Sequence, residues 1–169
     1  MTEGKPLSVV ARVAAPLRIA VDTNVLAYAE GAGDAVRVAR ARQLLRELTA
    51  VGGVERLRLP TQVCGELYNV LRRRMGWPGE QAARAVLSWT DALEVAEAPW
   101  PVFQAALELS SAHGLQVWDA LIVSTAVQQR CHMLLSEDLQ DGFTWRGVTV
   151  VNPFAAQPHP LLRAALLQL

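Results

Sequence analysis

At 169 residues the chain has room for one domain with a core and a cleft, but not for two full domains. Apolar residues reach 51% against 19% charged, which excludes an intrinsically disordered chain. Sixteen basic and sixteen acidic residues cancel, which excludes a polybasic nucleic-acid binder but not a local patch that meets nucleic acid. Residues 1–17, with Glu3, Lys5 and Arg12 scattered through them, lack the apolar stretch and cleavage site of a signal peptide and read as a loose leader. No charge-free apolar run approaches the ~18 residues of a membrane span, so the expectation is a cytoplasmic protein. Cys64 and Cys131 form no CxxC pair, which leaves two thiols in a reducing compartment rather than a zinc knuckle or a disulfide framework.

Arg18 to Val21 is a short apolar strand that stops at the capping residues Asp22-Thr23-Asn24. Val25 to Glu30 makes a short helix closed by Gly31-Ala32-Gly33. Ala35 to Ala50 has apolar residues at helical spacing with arginines between them, and Gly52-Gly53 ends it. A strand over Arg56 to Leu59 leads through Pro60-Thr61 into a helix reaching about Met75, and Gly79 to Leu93 forms the next helix. Leu93 to Ala96 reads as a strand, and Pro99 precedes a helix to His113, with Gly114 as its cap. Trp118 to Arg130 is helical, Met133 to Ser136 and Val148 to Val151 are strands, and a short apolar helix starts at Leu161. Strands alternating with helices imply an α/β fold: a mostly parallel central sheet with helices on both faces. Ligands of such sheets bind outside the carboxyl ends of the strands.

Asp22 and Asp138 follow two such strand ends. Either could be a plain turn residue or helix cap. Asp119 falls within about 60° of Ile122, Val123 and Ala126 on a helical wheel, aligned with a stripe that should be buried. A carboxylate placed there costs several kcal/mol unless it is paired or binds a cation; the alternative is a helix cap. Glu66 borders the stripe of Val63 and Val70, and taken alone it suits a boundary glutamate or a partner of Arg73 better than a ligand. Acids from separate elements would repel one another if they converged without a cation. Mg²⁺ or Mn²⁺, which take oxygen ligands and keep waters, would suit them, and phosphodiester hydrolysis is the chemistry of such a site.

VDTN at Val21 to Asn24, the helical Glu66, WDALIV at Trp118 to Val123 and LLSEDLQDG at Leu134 to Gly142 resemble the PIN domain, most closely the single-domain bacterial ribonucleases of VapC type. The resemblance runs from Arg18 to Phe154, leaving residues 1–17 as leader and 155–169 as a tail. It implies a single PIN-like, Rossmannoid domain with an acidic pocket for Mg²⁺ or Mn²⁺. By motif position Asp22, Glu66, Asp119 and Asp138 are similar to the family's metal-binding, catalytic acids. Asp141 competes with Asp138 for the fourth place. Asn24 and Ser136 resemble the polar residues that hold the pocket. The resemblance further implies an endoribonuclease leaving a 5′-phosphate and a 3′-hydroxyl, a homodimer, and a cognate antitoxin protein as partner. The leader and the tryptophans depart from the small toxins.

Other motifs are set aside. Gly31-Ala32-Gly33 trails a helix and lacks a third glycine, so it is no dinucleotide fingerprint. Asn24 stands where a haloacid-dehalogenase-like phosphatase needs an acid. His113, His132 and His159 have no paired spacing. Arg72-Arg73-Arg74 and the set Arg37, Arg40, Arg42 and Arg46 could track an RNA backbone or simply face solvent. The stripe of Ala35 to Ala50 and the helix after Pro78 could be core or a partner surface. The competing functional readings are a catalytically weak PIN-fold module that binds RNA or protein, and a small-molecule phosphatase.

Overall fold

A computed structural model describes residues 16–167 of the chain. The expected leader therefore lies outside the described residues up to position 15; Leu17 is half-buried against the core. In chain order the elements are β1 (Ile19–Val21), α1 (Thr23–Glu30), α2 (Ala35–Gly52), a 3-10 turn (Val54–Arg56), β2 (Leu57–Pro60), α3 (Thr61–Arg73), α4 (Gly79–Ala92), β3 (Glu94–Ala96), α5 (Trp100–His113), α6 (Val117–Gln128), β4 (Met133–Leu135), β5 (Thr144–Trp145), β6 (Val148–Val151) and α7 (Pro160–Leu167).

The strands form one six-stranded sheet in the order β3-β2-β1-β4-β6-β5. All neighbours are parallel except β5 and β6. β1, β2 and β4 are buried along their whole length, which explains the continuous rather than alternating apolar sequences of β1 and β4. The chain winds from β1 outward to β2 and β3, then returns to place β4 on the other side of β1. The crevice between the ends of β1 and β4 is thus the topological switch point of the sheet, where such folds place their ligands.

The helices follow from their caps and faces. Asp34 accepts the N–H groups of Val36 and Arg37 and starts α2, while Gly31 ends α1 at φ 105°, a conformation costly for other residues. Ala41, Leu44, Leu45 and Leu48 of α2 are buried, so this stripe belongs to the core rather than to a partner surface. Seven consecutive residues of α6, Ala120 to Ala126, are buried: this is a core helix with no polar face beyond its ends. The helix expected in the tail is α7, whose Leu162 and Ala165 are buried. It is tied to the 3-10 turn by buried Arg56, whose Nη2 donates to Ala165 O at 3.0 Å.

The sequence reading missed β5. Arg146 and Gly147 both have left-handed backbones (φ 44° and 89°), the signature of a two-residue hairpin turn, and Trp145 pairs with Val148 across it. Among the described residues no helix is long and apolar enough to cross a membrane.

Candidate active site

The site grows from the first residue after β1. Asp22 is only 4% exposed and is also the N-cap of α1: its Oδ1 accepts Thr23 N–H at 2.7 Å. Capping therefore engages one oxygen of this carboxylate and leaves the other for its neighbours. Its other oxygen, Oδ2, accepts Ser136 Oγ–H at 2.6 Å and Asn24 Nδ2–H at 3.1 Å. Ser136 follows β4, and its N–H donates to Val151 O at 3.0 Å, so the hydroxyl is fixed by the adjoining strand.

Asn24 joins the two strand ends. Nδ2 also donates to Asp138 Oδ2 at 3.2 Å, and Oδ1 accepts Glu137 N–H at 3.2 Å. Ser136 Oγ accepts the N–H of Asp138 at 3.2 Å. Asp138 is thereby brought beside Asp22 on a turn held by two polar side chains. Asp141 is not: its Oδ1 accepts Asn152 N–H at 2.8 Å, so it is occupied in anchoring the segment after β6.

Glu66 comes from α3. It does not pair with Arg73. Its Oε2 accepts Thr23 Oγ1–H at 2.7 Å, and its Oε1 accepts Gln62 Nε2–H, one helical turn away, also at 2.7 Å. Asp119 stands in the first turn of α6 but does not cap it, since Gln116 holds the N-cap position. Among the described residues Asp119 has no hydrogen-bonding or ion-pair partner, which removes the cap reading. Sequence reasoning passed over Thr23 and Gln62. The signals were present, as Thr23 lies inside VDTN and Gln62 is four residues before Glu66.

The acids sense one another. Burial pushes the Asp22 carboxyl up to about 6, against the lowering effect of the Ser136 and Thr23 hydrogen bonds, with Glu66 and Asp138 adding repulsion. Asp119 is raised for the same reasons: burial first, then the charges of Glu66 and Asp138. No arginine, lysine or histidine forms an ion pair with any of these acids among the described residues. The donors are all oxygen, which fits a hard divalent cation that keeps several waters. As they stand, no three His, Cys, Asp or Glu side chains among the described residues close into a metal cage. A cation there would rely on waters and substrate oxygens to complete its shell.

Beside the acids lies a cleft of about 340 Å³. One wall is α1, with Thr23, Asn24, Ala27 and Tyr28; the other is α3, with Glu66, Asn69, Val70 and, just beyond its end, Arg74. Tyr28 donates its hydroxyl to Glu137 Oε2, and Arg37 of α2 holds Glu137 Oε1 at 2.6 Å, so the turn carrying Asp138 is clamped from outside as well.

No curated protein matches this sequence. Several solved structures share the fold, three of them as follows. A Mycobacterium tuberculosis VapC20, described as a sarcin–ricin loop cleaving toxin, is 24% identical, with a TM-score of 0.58 over 71% of this chain and 91% of its own. A toxin–antitoxin complex from Klebsiella pneumoniae is 21% identical, with a TM-score of 0.58 over 80% and 98%. A DNA-bound VapBC from Salmonella typhimurium is 14% identical, with a TM-score of 0.57 over 79% and 96%. The PIN domain profile matches residues 19–140, from β1 through the turn that carries Asp138. The match takes in most of the chain and every acid at the switch point, and on it the protein belongs to the PIN domain family.

Proposed function

We propose that the protein is a Mg²⁺- or Mn²⁺-dependent endoribonuclease and the toxin half of a toxin–antitoxin pair. One observation carries this reading: Asp22, Glu66, Asp119 and Asp138 come from four separate elements to the sheet's switch point, where Glu66 and Asp138 raise the proton affinity of Asp22 and Asp119, and among the described residues no basic side chain pairs with any of the four. Membership of the PIN family and the likeness to VapC toxins support it. The VapBC and toxin–antitoxin structures support a cognate antitoxin as partner. The same family likeness underlies the proposals of a homodimer, of products with 5′-phosphate and 3′-hydroxyl ends, and of a cytoplasmic enzyme.

In this reading Asp22, Glu66, Asp119 and Asp138 hold the metal. Bound Mg²⁺ or Mn²⁺ would supply charge relief at the phosphodiester and lower the pKa of the attacking water. The chain's own groups prepare the place. Ser136 and Asn24 fix the orientation of Asp22, Asn24 sets its distance from Asp138, and Thr23 and Gln62 point Glu66. Asp119 has no partner to lose, so Asp119→Asn removes a charge and little else.

The test compares wild type and Asp119→Asn on a labelled single-stranded oligoribonucleotide with Mn²⁺, beside calorimetric Mn²⁺ titration. The expected result is loss of the Mn²⁺ heat and a fall in cleavage of about 100-fold or more. Equal turnover in both proteins would overturn the assignment. RNA binding without turnover in either would point to the binding module. Turnover of a phosphomonoester but not of RNA would point to a phosphatase.

A further inference from the structure

The cleft beside the acids poses an electrostatic problem. Its lining includes Glu66 and Asp138, whose negative charge repels a polyanion. A cation among the acids answers for the reacting phosphate but not for its neighbours along the strand. Among the described residues Arg74 is the one basic residue that lines the cleft. Glu66, Asn69, Val70 and Arg74 recur at helical spacing and build one wall, which sets Arg74 about 12 Å from Glu66 along the axis of α3. The Arg72-Arg73-Arg74 run thus divides. Arg72 is tied down, its Nη1 donating to Trp77 O at 2.6 Å, and Arg73 is exposed and outside the lining. Among the described residues Arg74 forms no ion pair, so its guanidinium is not committed to Glu66 or Asp138.

We propose that Arg74 grips a backbone phosphate of the RNA next to the one that is cut, and so fixes the line along which the strand crosses the acids. A guanidinium suits this place, because its planar fork meets two phosphate oxygens at once. The proposal rests on the ribonuclease reading and extends it to strand placement.

The experiment measures cleavage of a single-stranded oligoribonucleotide at several salt concentrations, with Mn²⁺, for the full chain and three variants. Arg74→Ala should lower kcat/KM roughly tenfold, the loss falling on KM, and should flatten the salt dependence of binding by about 0.7 in the log–log slope, the value of one phosphate contact on a single strand. Arg74→Lys should recover most of the salt slope and only part of the affinity. Arg73→Ala should resemble the wild type. Mn²⁺ affinity should be the same in wild type and Arg74→Ala, which separates a phosphate contact from damage to the acids. Wild-type KM and salt slope in Arg74→Ala would overturn the contact alone. Failure of the wild type itself to bind or cleave the RNA would overturn the ribonuclease reading, and the contact with it.

Discussion

One hydroxyl sets the charge that Asp22 can hold. Ser136 is fully buried and donates its proton to Asp22 Oδ2 at 2.6 Å, which favours the ionised carboxylate against the burial that opposes it. With a folded value of about 6 against an ordinary 3.8, Asp22 holds its proton over that interval in the folded chain but not in the unfolded one. The folded state then binds more protons, so stability from this group is full below 3.8 and declines as pH rises toward 6. Ser136→Ala should push the carboxyl above 6 and lower stability by roughly 1–3 kcal/mol at neutral pH, since the N–H of Asp138 also loses its acceptor. Carboxyl NMR titration and urea unfolding measure both effects; an Asp22 titration unchanged by the variant would show that the hydroxyl does not set it. At this scale the sequence was informative about identity and poor about partners. Asp22 and Asp138 could be picked out because each follows a strand end, and Asp119 because it falls on an apolar stripe. That Glu66 leans on Thr23 rather than Arg73 could not, because an exposed arginine seven positions on is as good a partner on a helical wheel as a hydroxyl from another helix.

Helix α2 supports the site from behind. Its N-terminal Arg37 pairs with Asp34 at 2.8 Å and with Glu137 at 2.6 Å, and Glu137 also accepts the Tyr28 hydroxyl. These bonds to Arg37 hold the Glu137 carboxyl below its ordinary range, while burial and the negative charge beside it push the Tyr28 phenol up to about 12. The clamp stays charged on Glu137 and neutral on Tyr28 across the working range of pH. Arg37→Ala should leave stability nearly unchanged, because Arg37 itself is exposed and ion pairs made by exposed side chains contribute little. It should still lower cleavage severalfold, by freeing the turn that carries Asp138. Thermal melting and RNA turnover measured on the same preparation test this, and a loss of melting temperature in proportion to activity would mean that the clamp serves the fold rather than the site. Most elements were legible because caps and glycines mark their ends. β5 was not, because two residues carry no period and the Arg146-Gly147 turn lacks the usual asparagine or aspartate. The role of Arg37 was hidden for a different reason: its partner Glu137 lies 100 positions away.

At the scale of the molecule, zero net charge conceals a concentrated negative site. The sequence pattern foretold both the parallel sheet and the edge where Asp22 and Asp138 stand, while the pairing of β1 with β4 is visible only in the fold. It could not foretell how far apart the acids rest, because that depends on side-chain rotamers and not on topology. If a divalent ion relieves the repulsion among them, it must stabilise the folded chain. At a Mn²⁺ concentration about a hundredfold above its Kd the gain is about 2.7 kcal/mol, or roughly 5–10 °C in Tm. The shift should be full near pH 7 and much smaller near pH 5, where Asp22 with its value of about 6 is mostly protonated. Differential scanning calorimetry with Mn²⁺ and with chelator at both pH values provides the check. Equal shifts at the two pH values, or none, would mean that the acids do not share an ion.

The two outer strands of the sheet have a consequence of another kind. β3 is three residues long and carries exposed Glu94, which engages Arg58 of β2; β5 is two residues long and folds back antiparallel on its neighbour. Neither rim offers a long, straight row of open amides onto which another polypeptide could add a strand. A chain made in quantity, or released unbound, is thereby guarded against stacking edge to edge into fibrils.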